Sequence, residues 1–257
     1  MQAMINIALR AARAAAEALL QTGDRLDRVK IANDDPLNFV SSADKDSEAT
    51  ILYHLQKAFP NHSYQTRLGT EIQGEAPEPT WLVDPLIGSF NFSCGSDRYG
   101  IAIACKIDNI ISHSVMLLPV MNEEFTASRG NGAQLNNRRI RVSDHKDNTQ
   151  PVFVLDAEGV NPSQLASIMQ KFGDSQLSVR MTGSSAIDMA FTAAGRFSAG
   201  WCINRGSIAQ QVAILLLTEA GALVGSENGN PDTAKASELI YAAPKSFKEL
   251  VKIRQSS

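Results

Sequence analysis

Trp81-Leu82-Val83-Asp84-Pro85-Leu86-Ile87-Gly88-Ser89-Phe90-Asn91-Phe92 joins an apolar run to a proline turn, a glycine and a hydroxyl. Trp81-Leu82-Val83 reads as a short buried strand. Pro85 cannot donate to a ladder, so Asp84 stands where a strand ends and either caps a turn or offers an oxygen to a ligand. Gly88 suits backbone angles that other residues resist. The Gly88 and Ser89 amides, at the start of a helix, are able to cradle an anion.

Upstream of this stretch the pattern is helical. Ile5, Ala8, Leu9, Ala12, Ala16 and Leu19 recur on one face, predicting a helix from about Gln2 to Gln21 that stops near Gly23. A second helix is expected from Asp44, read as its N-cap, through Ile51, Leu52 and Leu55 to Pro60. Downstream the period changes to strands. Ile101 to Cys105 and Ile110 to Leu118 flank the turn Asp108-Asn109, which predicts a hairpin. Beyond a polar stretch at Ser143 to Gln150, strands and helices alternate: Val152 to Leu155, Ser163 to Phe172, Leu177 to Arg180, Ser184 to Gly195, Ile208 to Ala220, a strand near Ile240 and a helix from Ser246. That stretch is taken as the boundary between halves at 1–145 and 146–257, which together form one compact α/β unit of layered sheets and helices.

The chain has 257 residues, 44% hydrophobic and 20% charged, enough for a large core. A net charge of −3 gives no general argument for nucleic acid or an anionic membrane as a partner. The basic run Arg138-Arg139-Ile140-Arg141 reads as a solvated edge. Cys94, Cys105 and Cys202 are widely spaced without a metal or redox pattern, as expected of reduced thiols in a cytoplasmic protein. Neither a membrane-spanning run nor a cleavable leader is legible. His54, His62, His113 and His145 have no metal-ligand spacing, and His54 and His113 read as structural.

Trp81–Phe92 resembles the W-[VI]-[VI]-D-P-L-D-G-T-x-N-F signature of the inositol monophosphatase family. Five further segments resemble that family in the right order. They are Asn38 to Lys45, Pro119 to Ala133, Gly183 to Ala190, Ala193 to Arg196, and Thr218-Glu219-Ala220-Gly221. The likeness is greatest to its bacterial extragenic suppressor branch. It implies a layered α/β/α/β/α sandwich of the inositol monophosphatase and fructose-bisphosphatase type, usually a homodimer. It also implies Mg²⁺-dependent hydrolysis of a phosphate monoester, with hard carboxylate oxygens around the ions.

Carried over position by position, four metal carboxylates are expected. Counting back from Asp84 places Arg67 at the first, Asp84 itself is the second, Ile87 occupies the third, and Ala209 falls on the fourth. Only Asp84 retains a ligand oxygen. The resemblance further equates Ser89 and Asp44 with the hydroxyl and carboxylate that activate water, makes Gly88 and Ser89 the phosphate contacts, and puts Cys202 where a substrate-contacting Glu is expected. Cys202 itself reads as a small buried apolar residue.

The leading expectation is a pseudoenzyme without a metal cofactor, in which Arg67 pairs with Asp84. Its partner is expected in transcription or RNA-processing machinery by analogy with the family. The alternative is a Mg²⁺-dependent phosphatase of inositol monophosphate or a related sugar phosphate, using Glu71, Glu75 or Glu78 as relocated ligands. A third reading is a metal-free sensor that holds phosphate or sugar phosphate on the Gly88–Ser89 amides and Arg67.

Overall fold

The computed structural model describes residues 2–75, 79–143, 151–173 and 178–255. Its helices are α1 (Gln2–Gly23), α2 (Ser42–Ala58), α3 (Ser89–Ser93), α4 (Pro162–Gly173), α5 (Ser185–Ala193), α6 (Ile208–Glu219) and α7 (Pro244–Gln255). The strands of the first half are β1 (Ile31–Asn33), β2 (Val40–Ser41), β3 (Ser63–Thr66), β4 (Glu71–Ile72), β5 (Thr80–Ile87), β6 (Gly100–Ile107), β7 (Ile110–Leu118), β8 (Glu123–Ser128), β9 (Gly132–Leu135) and β10 (Arg138–Ile140). Those of the second are β11 (Val152–Leu155), β12 (Ser178–Arg180), β13 (Ala199–Ile203), β14 (Leu223–Gly225) and β15 (Glu238–Ala242).

Beside the small β1–β2 pair, two sheets build the molecule. One runs β10-β9-β8-β7-β6-β5-β3-β4 and the other β12-β11-β13-β15-β14. The alternation of side chains along each strand decides what packs where. Trp81 and Val83 of β5, with Ile101, Ile103 and Cys105 of β6, face α1 and α2. Their neighbours Leu82, Ala102 and Ala104 point the other way, into a middle core shared with α5 and α6. Val154, Cys202 and Tyr241 of the second sheet close that middle core from the far side. Phe153, Trp201 and Ile240 turn outward to Ile168 of α4 and Phe247 of α7. Each large side chain so buried contributes roughly 1.5–3 kcal/mol. The outcome is a layered α/β/α/β/α sandwich, as the resemblance implied.

Two expectations need correction. The second helix is capped by Ser41, not by Asp44. Asp44 is the third helical residue and closes a capping box, its Oδ2 accepting from Ser41 N at 2.8 Å and Ser41 Oγ at 2.7 Å. The last helix starts at Pro244 rather than Ser246, because proline's fixed φ suits a first helical turn. Residues 144–150, with the expected boundary and His145, lie outside the described residues. The hairpin is β6–β7, turning through Asp108 and Asn109 at positive φ. Arg138 and Arg139 are exposed on the edge strand β10, as read from the sequence.

Candidate functional site

Strand β5 carries the quoted stretch out of the sheet. Asp84 pairs with Ala102 of β6 and Ile87 with Gly100, so an extra residue bulges between them. Pro85 sits in that bulge, where no ladder N–H is needed, and its carbonyl accepts from Ser47 Oγ at 2.6 Å. Gly88 follows at φ +68°, and a Cβ there would stand 2.6 Å from the Arg98 carbonyl oxygen. Only glycine fits. Ser89 then opens α3, and its hydroxyl reaches Asp44 Oδ1 at 2.5 Å and the Leu86 carbonyl at 2.8 Å.

Beside this turn lies a cleft of about 140 Å³. Arg67, Asp84, Ile87 and Ala209, the four positions predicted as metal-ligand equivalents, all line it. Gly88 and Ser89 line it too, while Asp44 is fully buried behind Ser89.

Arg67 organises the floor. It leaves the end of β3, where its backbone N–H donates to the Val83 carbonyl at 2.9 Å. Its Nε donates to Asp84 Oδ1 at 2.9 Å, and its Nη2 donates to Asp44 Oδ1 and, at 2.9 Å, to Ser89 Oγ. Nη1 reaches the Phe39 carbonyl at 3.3 Å. Burial works against the charge of Arg67, but Asp84 and Asp44 outweigh it and raise the guanidinium above its ordinary pKa. Burial raises the Asp84 carboxyl above its ordinary range, with Arg67 opposing but not outweighing it. Two carboxylates thus share one guanidinium through charge-assisted hydrogen bonds.

The chemistry of this donor set does not fit Mg²⁺. Ile87 and Ala209 have no oxygen to give, and a cation already holds Asp84 Oδ1. Glu71 and Glu75 are exposed and neither lines the cleft, and Glu78 lies outside the described residues. Cys202 is buried, with its thiol 3.7 Å from Gln210 Nε2, and burial raises it well above the usual thiol range. An unreactive packed thiol results.

The opposite wall comes from the second half of the chain. Asp156 and Glu158 follow the end of β11, and Arg205 follows β13. These residues escaped the sequence reading. An acid at the carboxyl end of an inner parallel strand, where open α/β sheets place ligands, was the available signal. His113 is structural, its ring nitrogen 2.9 Å from Ser128 Oγ. His62 is structural as well, accepting from Trp81 Nε1 at 3.0 Å.

A model of the inositol monophosphatase family matches residues 1–257. The chain is 35% identical to the Nus factor SuhB of Pseudomonas aeruginosa, covering 98% of this chain and 95% of that relative. It is 31% identical to the Nus factor SuhB of Escherichia coli K12, over 98% and 95% of the two chains. Among solved structures it is similar to the extragenic suppressor protein SuhB from Bartonella henselae, with a TM-score of 0.91 and 28% identity over 99% of both chains. A Thermotoga maritima IMPase shares the fold with a TM-score of 0.85 at 22% identity, over 99% of this chain and 97% of that one.

Proposed function

The chain belongs to the inositol monophosphatase family, and on that premise we propose that it is a catalytically degenerate member whose role is to bind rather than to hydrolyse. One observation carries this reading: the Arg67 guanidinium sits between Asp84 and Asp44 and extends to Ser89. A fixed monovalent cation thereby takes the place the family gives to a hydrated divalent one. The hydroxyl–carboxylate pair of Ser89 and Asp44 is still assembled, but Asp44 Oδ1 also accepts from the Arg67 guanidinium and is not free to accept from a water. Relatives in the family carry the name Nus factor. That supports a cytoplasmic role beside transcription machinery, with a homodimer as the expected assembly.

The test is a calorimetric Mg²⁺ titration together with phosphate release from inositol 1-phosphate at millimolar Mg²⁺. The expected result is neither a binding isotherm nor turnover. Phosphate release that EDTA abolishes would overturn the reading and favour a Mg²⁺-dependent phosphatase with a rearranged ligand set.

A further inference from the structure

One hairpin overhangs the cleft. Strands β1 and β2 are joined across their base, where Ser42 N donates to the Lys30 carbonyl at 2.8 Å and Lys30 N donates to Ser42 Oγ at 3.1 Å. Between the strands a 3₁₀ turn, Pro36–Asn38, forms the tip. Asp35 folds that tip on itself, its Oδ1 accepting from Leu37 N at 3.1 Å and its Oδ2 from Asn38 Nδ2 at 2.9 Å. Residues 31–38 are all exposed. Among the described residues, the side-chain hydrogen bonds of Asn33, Asp35 and Asn38 stay inside the hairpin. Yet Pro36, Leu37 and Phe39 line the cleft. A hairpin with so few contacts needs a fastening to stay over a cavity.

Three contacts fasten it. Phe39 is buried, with its ring edge-on against Phe90 at 5.7 Å between centroids. Its carbonyl accepts from Arg67 Nη1 at 3.3 Å, the arm of the guanidinium left over once Nε and Nη2 are on Asp84 and Asp44. A guanidinium can hold all three because its donors are spread over a rigid plane. On the far side Leu37 meets the loop after β11, where a Cβ on Gly159 would stand 3.1 Å from Leu37 Cδ2. The hairpin therefore reaches from the floor of the cleft to the opposite wall. Charge does not hold it there, since Asp35 and Glu158 act on each other as like charges. Arg205, the cation of that wall, donates from Nη2 to the Glu158 backbone carbonyl at 2.5 Å. The space left beneath, about 140 Å³, is smaller than the roughly 300–1,000 Å³ of pockets that enclose small ligands.

We propose that residues 31–41 are a flap, latched shut by Arg67 through the Phe39 carbonyl, so that the chain holds its own cleft closed with a side chain. The hinge is the Lys30–Ser42 pair, whose two hydrogen bonds survive opening. The inference rests on the reading that Arg67 has taken the metal's place, and it adds that the same replacement governs entry. A ligand wider than the closed cleft binds only after the Phe39 contact breaks. Its apparent affinity is reduced by the fraction of molecules that are open.

The experiment is hydrogen–deuterium exchange on the full chain without added metal, comparing the parent with Arg67→Lys and Phe90→Ala. Arg67→Lys keeps a cation beside Asp84 and Asp44 but has a single ammonium in place of the fork. Phe90→Ala leaves the charge cluster whole and removes the ring that Phe39 leans on. In both, the amides of residues 31–41 should exchange roughly tenfold faster or more, the scale set by one hydrogen bond to a charged group. Those of β6 and β7 should keep the parent's rate. A second readout is Ala209→Cys on the cleft floor, in a Cys94→Ser background. A thiol reagent should label it about tenfold faster once Arg67→Lys is added. If Arg67→Lys speeds exchange throughout the chain, Phe90→Ala decides. Residues 31–41 that exchange in the parent like an unstructured chain, or no faster in either variant, overturn the proposal. Phosphate release with Mg²⁺ assayed alongside separates the two readings: turnover there refutes the degenerate-phosphatase reading, whereas exchange in the flap decides this one.

Discussion

Arg67 Nε stands 2.9 Å from Asp84 Oδ1, and the same guanidinium reaches the fully buried Asp44. Removing it leaves two carboxylates packed together without a counter-charge. Arg67→Ala is expected to cost about 3 kcal/mol in urea unfolding. Adding Asp84→Asn to that variant should recover part of the loss. An Arg67→Ala protein as stable as the parent would mean the cluster is not charged in solution.

Placing carboxylates at the three positions where the family resemblance expects them tests the site as a whole. The triple variant Arg67→Glu, Ile87→Asp, Ala209→Asp surrounds Asp84 with hard oxygens in the lining of one cleft. Without metal it should be less stable than the parent, since like charges crowd together. Millimolar Mg²⁺ should then raise its melting temperature by several degrees while leaving the parent unchanged. Differential scanning fluorimetry reads both outcomes.

Asp188 titrates far from its ordinary range. Burial raises its carboxyl from 3.8 to about 7, Thr182 Oγ1 donates to Oδ1 at 2.6 Å, and Oδ2 has no partner among the described residues. Below about pH 4 both folded and unfolded chains hold the proton. As pH rises toward 7 the unfolded chain gives it up first, so stability falls across that window, by an amount on the order of 4 kcal/mol. Asp188→Asn keeps the Thr182 contact. It should flatten the wild-type difference in unfolding free energy between pH 4 and 8 and melt higher than the parent at pH 8.

Tyr241 offers a conservative counterpart. Its hydroxyl is fully buried without a partner among the described residues, with the ring lying against Gly200, whose added Cβ would meet the hydroxyl at 2.4 Å. Tyr241→Phe removes an unsatisfied donor while preserving the ring, so stability should be unchanged or gain about 1 kcal/mol. Gly200→Ala, by contrast, should destabilise by forcing that ring to move. Thermal melts of the two variants should shift in opposite directions or differ by several degrees.

How much of this was legible beforehand follows the range of the interactions. Residues read from local period, such as Leu82 against Trp81 and Val83, fall on opposite faces of β5 as alternation requires. The Arg67–Asp84 pair was also accessible, because a family spacing linked two positions that β3 and β5 then place side by side. Asp44 was misread as an N-cap because Ser41, three residues earlier, satisfies the same rule and the sequence does not rank them. Asp156 and Glu158 escaped because neither belongs to a motif. Their place in the cleft emerges only when the loop after β11 and the turn after β5, distant in the chain, come to line the same cavity.

Asp44 divides its two oxygens between unlike tasks: Oδ2 closes the cap of α2, and Oδ1 faces Arg67 and Ser89. A cap of this kind is worth about 1 kcal/mol to the helix whatever happens in the cleft. Mutational drift that erases a reaction therefore does not release this residue, because the fold continues to select for it. Counting surviving signature positions overstates how much reactivity a descendant has inherited. Some of the survivors are retained as architecture.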